Sequence, residues 1–235
     1  MNAITPLNQA NHSGLKLAYD PSFAQVKNEH LLPVVVHEFS RLALDYALVF
    51  VKNAATGAFQ PVALTGLAAG QNLYYQPQGW QADSAPMIAR NYPLVLIEDA
   101  SNPEQLLVGV NEASELLNAQ HGEALFSADG SESEFLIKRK QQLEDFYQSS
   151  QLTSAFVAQL AELQLLQPQT LNVTLAQQKQ QLTGLYFIDE QKLNALSAEQ
   201  FDQLRQRGFL SLVYAHLISL RNIERLVKKA AGQSS

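Results

Sequence analysis

The stretch of residues 36–67, VHEFSRLALDYALVFVKNAATGAFQPVALTGL, constrains the fold more than any other part of the chain. A short helical pattern is followed at 47–51 by a run of β-branched and aromatic residues that is typical of a buried strand. Residues 53–57 form a turn sequence that ends on glycine, and residues 59–64 return as a second strand. We therefore predict a short helix followed by a β-hairpin.

The composition is that of a folded protein with a large core, because 46% of the 235 residues are hydrophobic and 16% are charged. The formal net charge of −6 argues against a general nucleic-acid-binding protein, since such proteins present a basic surface. The chain contains no cysteine, which excludes disulfides, cysteine-ligated zinc, iron–sulfur clusters and thiol nucleophiles.

The N-terminal sequence gives no indication of export. Its first twenty residues contain neither a basic region nor the apolar region of a signal peptide. No apolar run approaches the roughly 20 residues that a membrane-spanning helix needs. We therefore expect a soluble, cytoplasmic protein with no transmembrane segment.

The second half of the chain begins with a long predicted helix. Residues 131–134 have the spacing of a capping box, in which a serine is followed three residues later by a glutamate. The amphipathic pattern then runs to about residue 166 or breaks near residues 149–150. Alternating residues at 170–188 predict a second hairpin.

Together these elements predict a single α+β domain. We expect an antiparallel or mixed sheet, built from the first half and the second hairpin, packed by the long helix and the C-terminal helices. The predicted boundaries are a flexible N-terminus at 1–13, a single domain at 14–230 and a flexible tail at 231–235.

The last predicted helix carries an apolar stripe, and the last helical region as a whole is locally basic. The stripe has a 4-3-4-3-4 spacing and contains Phe209, Val213, His216, Leu220, Ile223 and Val227. We interpret His216 as a hydrogen-bonded core or interface histidine, and the stripe also permits a homodimer. The basic residues indicate either a solvated face or contact with an anionic partner, and they are Arg205, Arg207, Arg221, Arg225, Lys228 and Lys229.

Aromatic residues near one arginine form the first candidate ligand-binding cluster. Tyr74, Trp80 and Tyr92, together with Arg90, are suited to line a pocket for a carboxylate or a sugar. The alternative is that these side chains pack on a sheet face.

A histidine and two carboxylates form the second candidate cluster. His121 and Glu123, with Asp129 nearby, are suited to bind a cation or to move a proton. The alternative is that these residues form a turn that caps the long helix.

No catalytic motif accompanies these clusters. No two histidines lie three to five residues apart, and the sequences G-x-S-x-G, G-x-x-x-x-G-K-[ST] and G-x-G-x-x-G are absent. The sequence therefore assigns no catalytic residue, and we predict no metal and no cofactor.

Several blocks along the chain resemble the SapC family of bacterial proteins. They are residues 34–67, NLYYQPQGW (72–80), PMIARNYPLVL (86–96), HGEALFSADG (121–130), LTGLYFIDEQKLNAL (182–196) and GFLSLVYAHLISLRNIERL (208–226). The resemblance covers about residues 15–226 and implies one family-length unit. It also implies a link to paracrystalline bacterial surface layers and to genes near outer-membrane receptors and flavin-dependent halogenase-like proteins. It carries over no functional residue.

We therefore expect a non-catalytic binding or accessory protein that serves bacterial envelope or nutrient-uptake systems. Its partner would be a protein or a small-molecule ligand, and not a nucleic acid. One alternative is an enzyme without a recognised motif that acts on a small molecule, which requires the polar clusters to converge in one cleft. The other is a structural component of a surface layer, which requires export and self-assembly.

Overall fold

The computed structural model of the protein describes residues 4–99, 101–175 and 178–233. Its strands are β1 Ile4–Pro6, β2 Lys16–Leu17, β3 Leu31–Pro33, β4 Ala47–Lys52, β5 Phe59–Leu64, β6 Leu94–Asp99, β7 Asn102–Asn111, β8 Leu117–Asn118, β9 Glu123–Ala124, β10 Leu166–Leu175 and β11 Gln178–Ile188. Its α-helices are α1 Gln9–His12, α2 Phe39–Leu42, α3 Met87–Asn91, α4 Glu134–Glu162, α5 Glu190–Asn194, α6 Ala198–Gln206, α7 Phe209–Ser219 and α8 Asn222–Gln233.

The chain divides into two compact units. The first unit contains the residues up to 21 and residues 90–148, and the second contains residues 22–89 and those from 149 onward. The first unit has two three-stranded sheets, the second has one five-stranded sheet, and each unit has its own cluster of buried apolar side chains.

The first unit is built on an antiparallel sheet in the order β1-β7-β6. The short strand β2 pairs with β8 on one side and with β9 on the other. The start of α4 contributes to the core, because its apolar residues recur at helical spacing. This core contains Leu17, Leu94, Val110, Leu125, Phe126, Leu136 and Leu143.

The N-terminal residues have regular structure, which the polar sequence at 1–13 does not predict. After β1, the side chain of Asn8 caps α1 by accepting a hydrogen bond from the Asn11 N–H. His12 is buried, and its Nε2 lies 3.2 Å from Glu112 Oε1. Residues 1–3 of the predicted flexible segment lie outside the described residues.

The second unit is built on a five-stranded antiparallel sheet in the order β10-β11-β4-β5-β3. The predicted short helix and hairpin are confirmed as α2, β4 and β5, and Gly57 in the turn has a φ of +72°. The second predicted hairpin is confirmed as β10 and β11, while residues 176–177 of its turn lie outside the described residues.

Helix α4 differs from its prediction at both ends. Its N-terminus is capped by Ser133, whose hydroxyl accepts a hydrogen bond from the Leu136 N–H at 3.1 Å, rather than by the serine two residues earlier. The helix continues without a break through residues 149–150 and ends at Glu162. A left-handed residue, Gln164 with a φ of +53°, then directs the chain into β10.

The single predicted C-terminal helix is instead two helices, α7 and α8. Helix α8 begins at Asn222. The side-chain Nδ2 of this residue donates hydrogen bonds to the carbonyl oxygens of Ala43 at 2.8 Å and Tyr46 at 3.0 Å. This buried side chain therefore connects the start of α8 to the end of α2. The continuous apolar stripe hides the break, because its spacing does not change at the junction.

The stripe packs on the core of its own unit. Phe209, Val213 and His216 are at most 1% exposed, and Leu220, Ile223 and Val227 are partly buried against the same cluster. The apolar spacing is thus explained by packing within the chain, and homodimerisation remains a prediction.

His216 replaces a missing hydrogen bond between β4 and β11. These strands pair at Phe50 with Tyr186, so two residues further along this register Leu48 would lie opposite Ile188. Instead, the His216 ring lies between them: Nδ1 donates to the Leu48 carbonyl oxygen at 2.8 Å, and Nε2 accepts from the Ile188 N–H at 3.0 Å. The predicted hydrogen-bonded core histidine is confirmed.

Ser219, one turn after His216, completes this junction. Its hydroxyl accepts a hydrogen bond from the Leu48 N–H at 2.9 Å and donates to the His216 carbonyl oxygen at 2.6 Å. Both polar backbone groups of Leu48 are therefore satisfied by helix α7, where a neighbouring strand would ordinarily satisfy them.

The predicted α+β class is confirmed, with antiparallel sheets packed against α4 and the C-terminal helices. The domain boundaries at 14 and 230 remain a prediction. Helix α8 continues to Gln233, and residues 234–235 of the predicted tail lie outside the described residues. Within the described ranges, no helix is both long and apolar enough to cross a membrane.

Candidate functional site

A cleft of about 690 Å³ in the first unit is a candidate ligand site. Its walls are β6 and β7, the segment after β1, the turn at 126–132 and one face of α4. Its apolar lining is Leu7, Leu96, Leu106, Leu107, Val108 and Phe126. Its polar lining is Asn8, Gln9, Gln105, Ser131, Glu132, Lys140, Glu144, Tyr147 and Gln148, with Gly130 between the two sets.

The spacing of residues on α4 determines which side chains face the cleft. Lys140, Glu144 and Tyr147 follow one another at intervals of four and three, so they share one face of the helix. Leu136 and Leu143 are buried in the core and fix the rotation of the helix. A polar wall therefore stands opposite the sheet.

The turn at 126–132 is held rigidly by Asp129. Its Oδ1 accepts hydrogen bonds from the Ser131 hydroxyl at 2.6 Å and from the Ser131 N–H at 2.9 Å, and these bonds lower the pKa of the Asp129 carboxyl. Gly130 has a φ of +85°, and a Cβ there would lie 1.9 Å from Gln9 Nε2. This glycine therefore lets the turn approach the segment after β1.

The charges in the cleft disfavour an anionic ligand. Lys140 forms an ion pair with Glu132, and Glu144 adds a second carboxylate, so the lining carries one net negative charge at neutral pH. Four amide side chains also line the cleft, and each both donates and accepts hydrogen bonds: Asn8, Gln9, Gln105 and Gln148. Tyr147 and Phe126 supply aromatic surface.

Two of the sequence-predicted ligand residues, Tyr74 and Trp80, come together in the second unit. Their rings stack with centroids 6.0 Å apart. Tyr74 is 1% exposed, and its hydroxyl donates to the Asp45 carbonyl oxygen at 2.6 Å. Trp80 Nε1 donates to the Tyr46 hydroxyl at 2.5 Å. Burial raises the pKa of Tyr74, and these contacts support its role in packing.

The other four predicted residues lie in the first unit. The Tyr92 hydroxyl accepts a hydrogen bond of 3.4 Å from Asn111, and the carbonyl oxygen of Arg90 accepts one of 2.9 Å from Arg139. His121 and Glu123 are both exposed, with Glu123 in β9. None of the six predicted residues lines the cleft, and their role in ligand binding remains a prediction.

A serine and a histidine whose chemistry suits a nucleophile and a base also lie close together in the second unit. Ser149 Oγ in α4 lies 2.6 Å from Nδ1 of His37, and His37 belongs to the short 3₁₀ turn before α2. Ser149 is 3% exposed, whereas His37 is exposed. The two residues are 112 positions apart, so no local motif identifies them. Among the described residues, no group of three histidine or carboxylate side chains is placed to share a metal ion.

Sequence reasoning missed the residues of the cleft because they come from five separate segments. The signal that was available is the polar face of α4 at Lys140, Glu144 and Tyr147, beside a glycine-containing acidic turn. That pattern is also typical of a solvated helix, so the sequence alone does not distinguish the two.

Comparison with protein families matches residues 7–226 to the SapC family. Comparison with curated proteins found no match, and neither did comparison with solved structures. The match includes all six blocks that resemble the family and all of the residues that line the cleft. On this coverage, the chain is a member of the SapC family.

Proposed function

We propose that the protein is a non-catalytic binding protein whose cleft holds an uncharged, hydroxyl-bearing small molecule. The cleft in the first unit supports this proposal. Its volume of about 690 Å³ falls within the roughly 300–1,000 Å³ range of ligand pockets. Its apolar strands and polar rim match the usual composition of such pockets.

The lining chemistry selects the class of ligand. Amide side chains exchange hydrogen bonds with hydroxyl groups in both directions, while Tyr147 offers an aromatic face to the apolar side of a sugar ring. An anion would meet one net negative charge without a free guanidinium in the lining. Neutral mono- or disaccharides therefore fit better than carboxylates or phosphates.

The biological role that we propose is accessory to bacterial envelope or nutrient-uptake systems, in the cytoplasm. The association of the SapC family with genes near outer-membrane receptors supports this role. A binding protein in such a system would hold or sense the transported molecule without converting it. A surface-layer role would instead require the protein to be exported.

Isothermal titration calorimetry tests the proposed ligand class. We expect neutral mono- or disaccharides to bind and a dicarboxylic acid of similar size not to bind. Tyr147→Ala should weaken binding about tenfold, because its ring lines the cleft, whereas Tyr19→Ala removes an exposed ring of the same unit and should have no effect. Equal affinity in the two variants, or preference for the anion, would reject the proposal.

The second ligand-binding proposal concerns the six sequence-predicted residues. Trp80 is the only tryptophan, so its fluorescence reports on the pair that it forms with Tyr74. A ligand that contacts Trp80 or the stacked Tyr74 should change the emission. A ligand bound without any change in emission would count against the Trp80 cluster.

The contact between Ser149 and His37 supports a second candidate function, a serine hydrolase. A histidine nitrogen 2.6 Å from a serine hydroxyl can accept its proton as the hydroxyl attacks an acyl group. A fluorophosphonate probe should then label the wild-type protein but neither Ser149→Ala nor His37→Gln. Labelling that persists in both variants, or no labelling at all, would reject this function.

A further inference from the structure

The outer face of α7 carries large apolar side chains in contact with solvent. Tyr214 and Ile218 are 45% and 62% exposed and lie four residues apart, so they share one face of the helix. The opposite face, with Val213 and His216, is buried against the sheet. The exposed apolar residues therefore are not needed to complete the core.

Leu44, at the end of α2, extends this surface and is 68% exposed. Its backbone is held in place, because its carbonyl oxygen accepts a hydrogen bond of 2.7 Å from Arg225. The preceding residue, Ala43, is held by Asn222 at the start of α8. Leu44 is thus fixed beside the start of α8, which follows α7 in the chain.

Cationic side chains border the apolar residues. Between residues 218 and 229 the chain carries Arg221, Arg225, Lys228 and Lys229, but a single carboxylate, Glu224. In the part of the chain that the structure describes, the Arg221 guanidinium makes no hydrogen bond or ion pair. The nearby Asp45 carboxylate lies 3.6 Å from Arg225, which balances its charge. We call the surface of Leu44, Tyr214, Ile218, Arg221 and Arg225 the α7 patch.

We propose that the α7 patch docks an acidic amphipathic helix of a partner protein. A helix that presents apolar residues at intervals of three and four would cover Tyr214 and Ile218, as amphipathic helices do in other recognition surfaces. Glutamate or aspartate residues along its edge would then reach Arg221. Arginine favours this pairing because its planar guanidinium binds a carboxylate through two hydrogen bonds.

The overall charge distinguishes this partner from two other occupants. The chain carries a net charge of −6, so an anionic membrane would repel most of the protein surface while it attracted the patch. A second copy of the chain carries the same net charge. A short acidic helix presents its charge only at the patch, where the local charge is positive.

Fluorescence anisotropy of a labelled synthetic peptide tests the proposal. The probe is a 16-residue helix-forming peptide with leucine on one face and glutamate beside it, compared with a scrambled peptide of the same composition. We expect the full-length protein to bind the ordered peptide at least about tenfold more tightly than the scrambled one. Binding should weaken as salt is added, because Arg221 is exposed to solvent.

Substitutions in the patch and outside it locate the binding surface. Ile218→Glu and Arg221→Glu should each weaken binding about tenfold or more. Ile137→Glu changes an isoleucine of the first unit that is 55% exposed and should leave the affinity unchanged. All three positions are exposed, so circular dichroism should show that each variant remains folded. Equal binding by all variants would overturn the proposal.

Two further measurements exclude the other occupants. Co-sedimentation with vesicles of phosphatidylglycerol and phosphatidylcholine should show no binding that depends on Ile218. Light scattering should show that Ile218→Glu does not change the oligomeric state. Loss of vesicle binding in this variant would assign the patch to a membrane, and dissociation of a dimer would assign it to a second copy; either result overturns the proposal.

Discussion

Lowering the pH from 7 towards 4 should destabilise the second unit through His216. The neutral ring donates from Nδ1 to the Leu48 carbonyl oxygen and accepts at Nε2 from the Ile188 N–H. A proton on Nε2 would remove this acceptor and place a charge in the core. Burial therefore lowers the pKa of His216 from 6.5 to about 4, although the bond to Leu48 opposes this effect.

The sign of the effect follows from the linkage between proton binding and folding. Below pH 6.5 the unfolded chain binds a proton at His216, whereas the folded protein does not bind it until about pH 4. The free energy of unfolding therefore falls as the pH decreases through this window. Each unit of pKa difference corresponds to about 1.4 kcal/mol, which limits the loss to about 3 kcal/mol.

Urea denaturation, followed by circular dichroism at several pH values from 7 to 4.5, measures this loss. We expect His216→Gln to be less stable than the wild type at pH 7 but to lose less stability on acidification. His121→Gln replaces an exposed histidine and should follow the wild type. The exposed carboxylates with a lowered pKa are common to all three proteins. Parallel pH profiles for the wild type and His216→Gln would refute the reasoning.

Three further substitutions test contacts described above, each by urea denaturation. Ser219→Ala leaves the buried Leu48 N–H of β4 without a partner and should lower the free energy of unfolding by about 1–3 kcal/mol. Ser211→Ala, at an exposed position of α7, should change it by less than about 0.5 kcal/mol. Equal effects of the two substitutions would contradict the role of Ser219 as the partner of Leu48. Gly130→Ala should lower the free energy of unfolding by about 1–2 kcal/mol, because φ is positive at this residue and the new methyl would displace Gln9. It should also weaken ligand binding in the cleft, and unchanged affinity would argue that the turn at 126–132 is not part of the site. Asn222→Asp removes the donor for two buried carbonyl oxygens and should cost about 1–3 kcal/mol; wild-type stability would contradict the assigned contacts.

The helix and hairpin at 36–67 could be predicted because local pattern and burial agree there. The residues of β4 alternate between faces that are both covered, so a continuous apolar run meets no solvent. The same logic identified His216 as a core residue, because it occupies a position within an apolar stripe that packs on the core. Its partners could not be predicted, since Leu48 and Ile188 lie far from it in sequence.

The boundaries of the helices were harder to predict than their existence. Two serines precede α4, at 131 and 133, and both have helix-capping chemistry. Ser131 is bonded to Asp129 in the preceding turn, whereas the Ser133 hydroxyl accepts the Leu136 N–H, so the second serine caps the helix. At the other end of the chain, the break between α7 and α8 depends on the long-range hydrogen bonds of Asn222, which no local pattern encodes.

The candidate cleft could not be predicted from sequence for a related reason. Its walls come from segments near residues 7, 96, 107, 130 and 144, and no two of them form a recognisable motif. Residues with more conspicuous chemistry, such as Tyr74 and Trp80, are largely engaged in packing and internal hydrogen bonds. Chemical character identifies candidate residues, but tertiary pairing determines which of them face open space.

The use of helix α7 in place of a strand beside Leu48 also affects the synthesis of the chain. As the ribosome releases the protein, β4 and β5 emerge long before residues 178–219, which cover the other edge of β4. During this interval the apolar edge of β4 has unsatisfied backbone groups and can pair with another nascent chain. Folding of the second unit must therefore wait for its C-terminal third, and truncation before α7 should yield aggregates rather than a smaller folded protein.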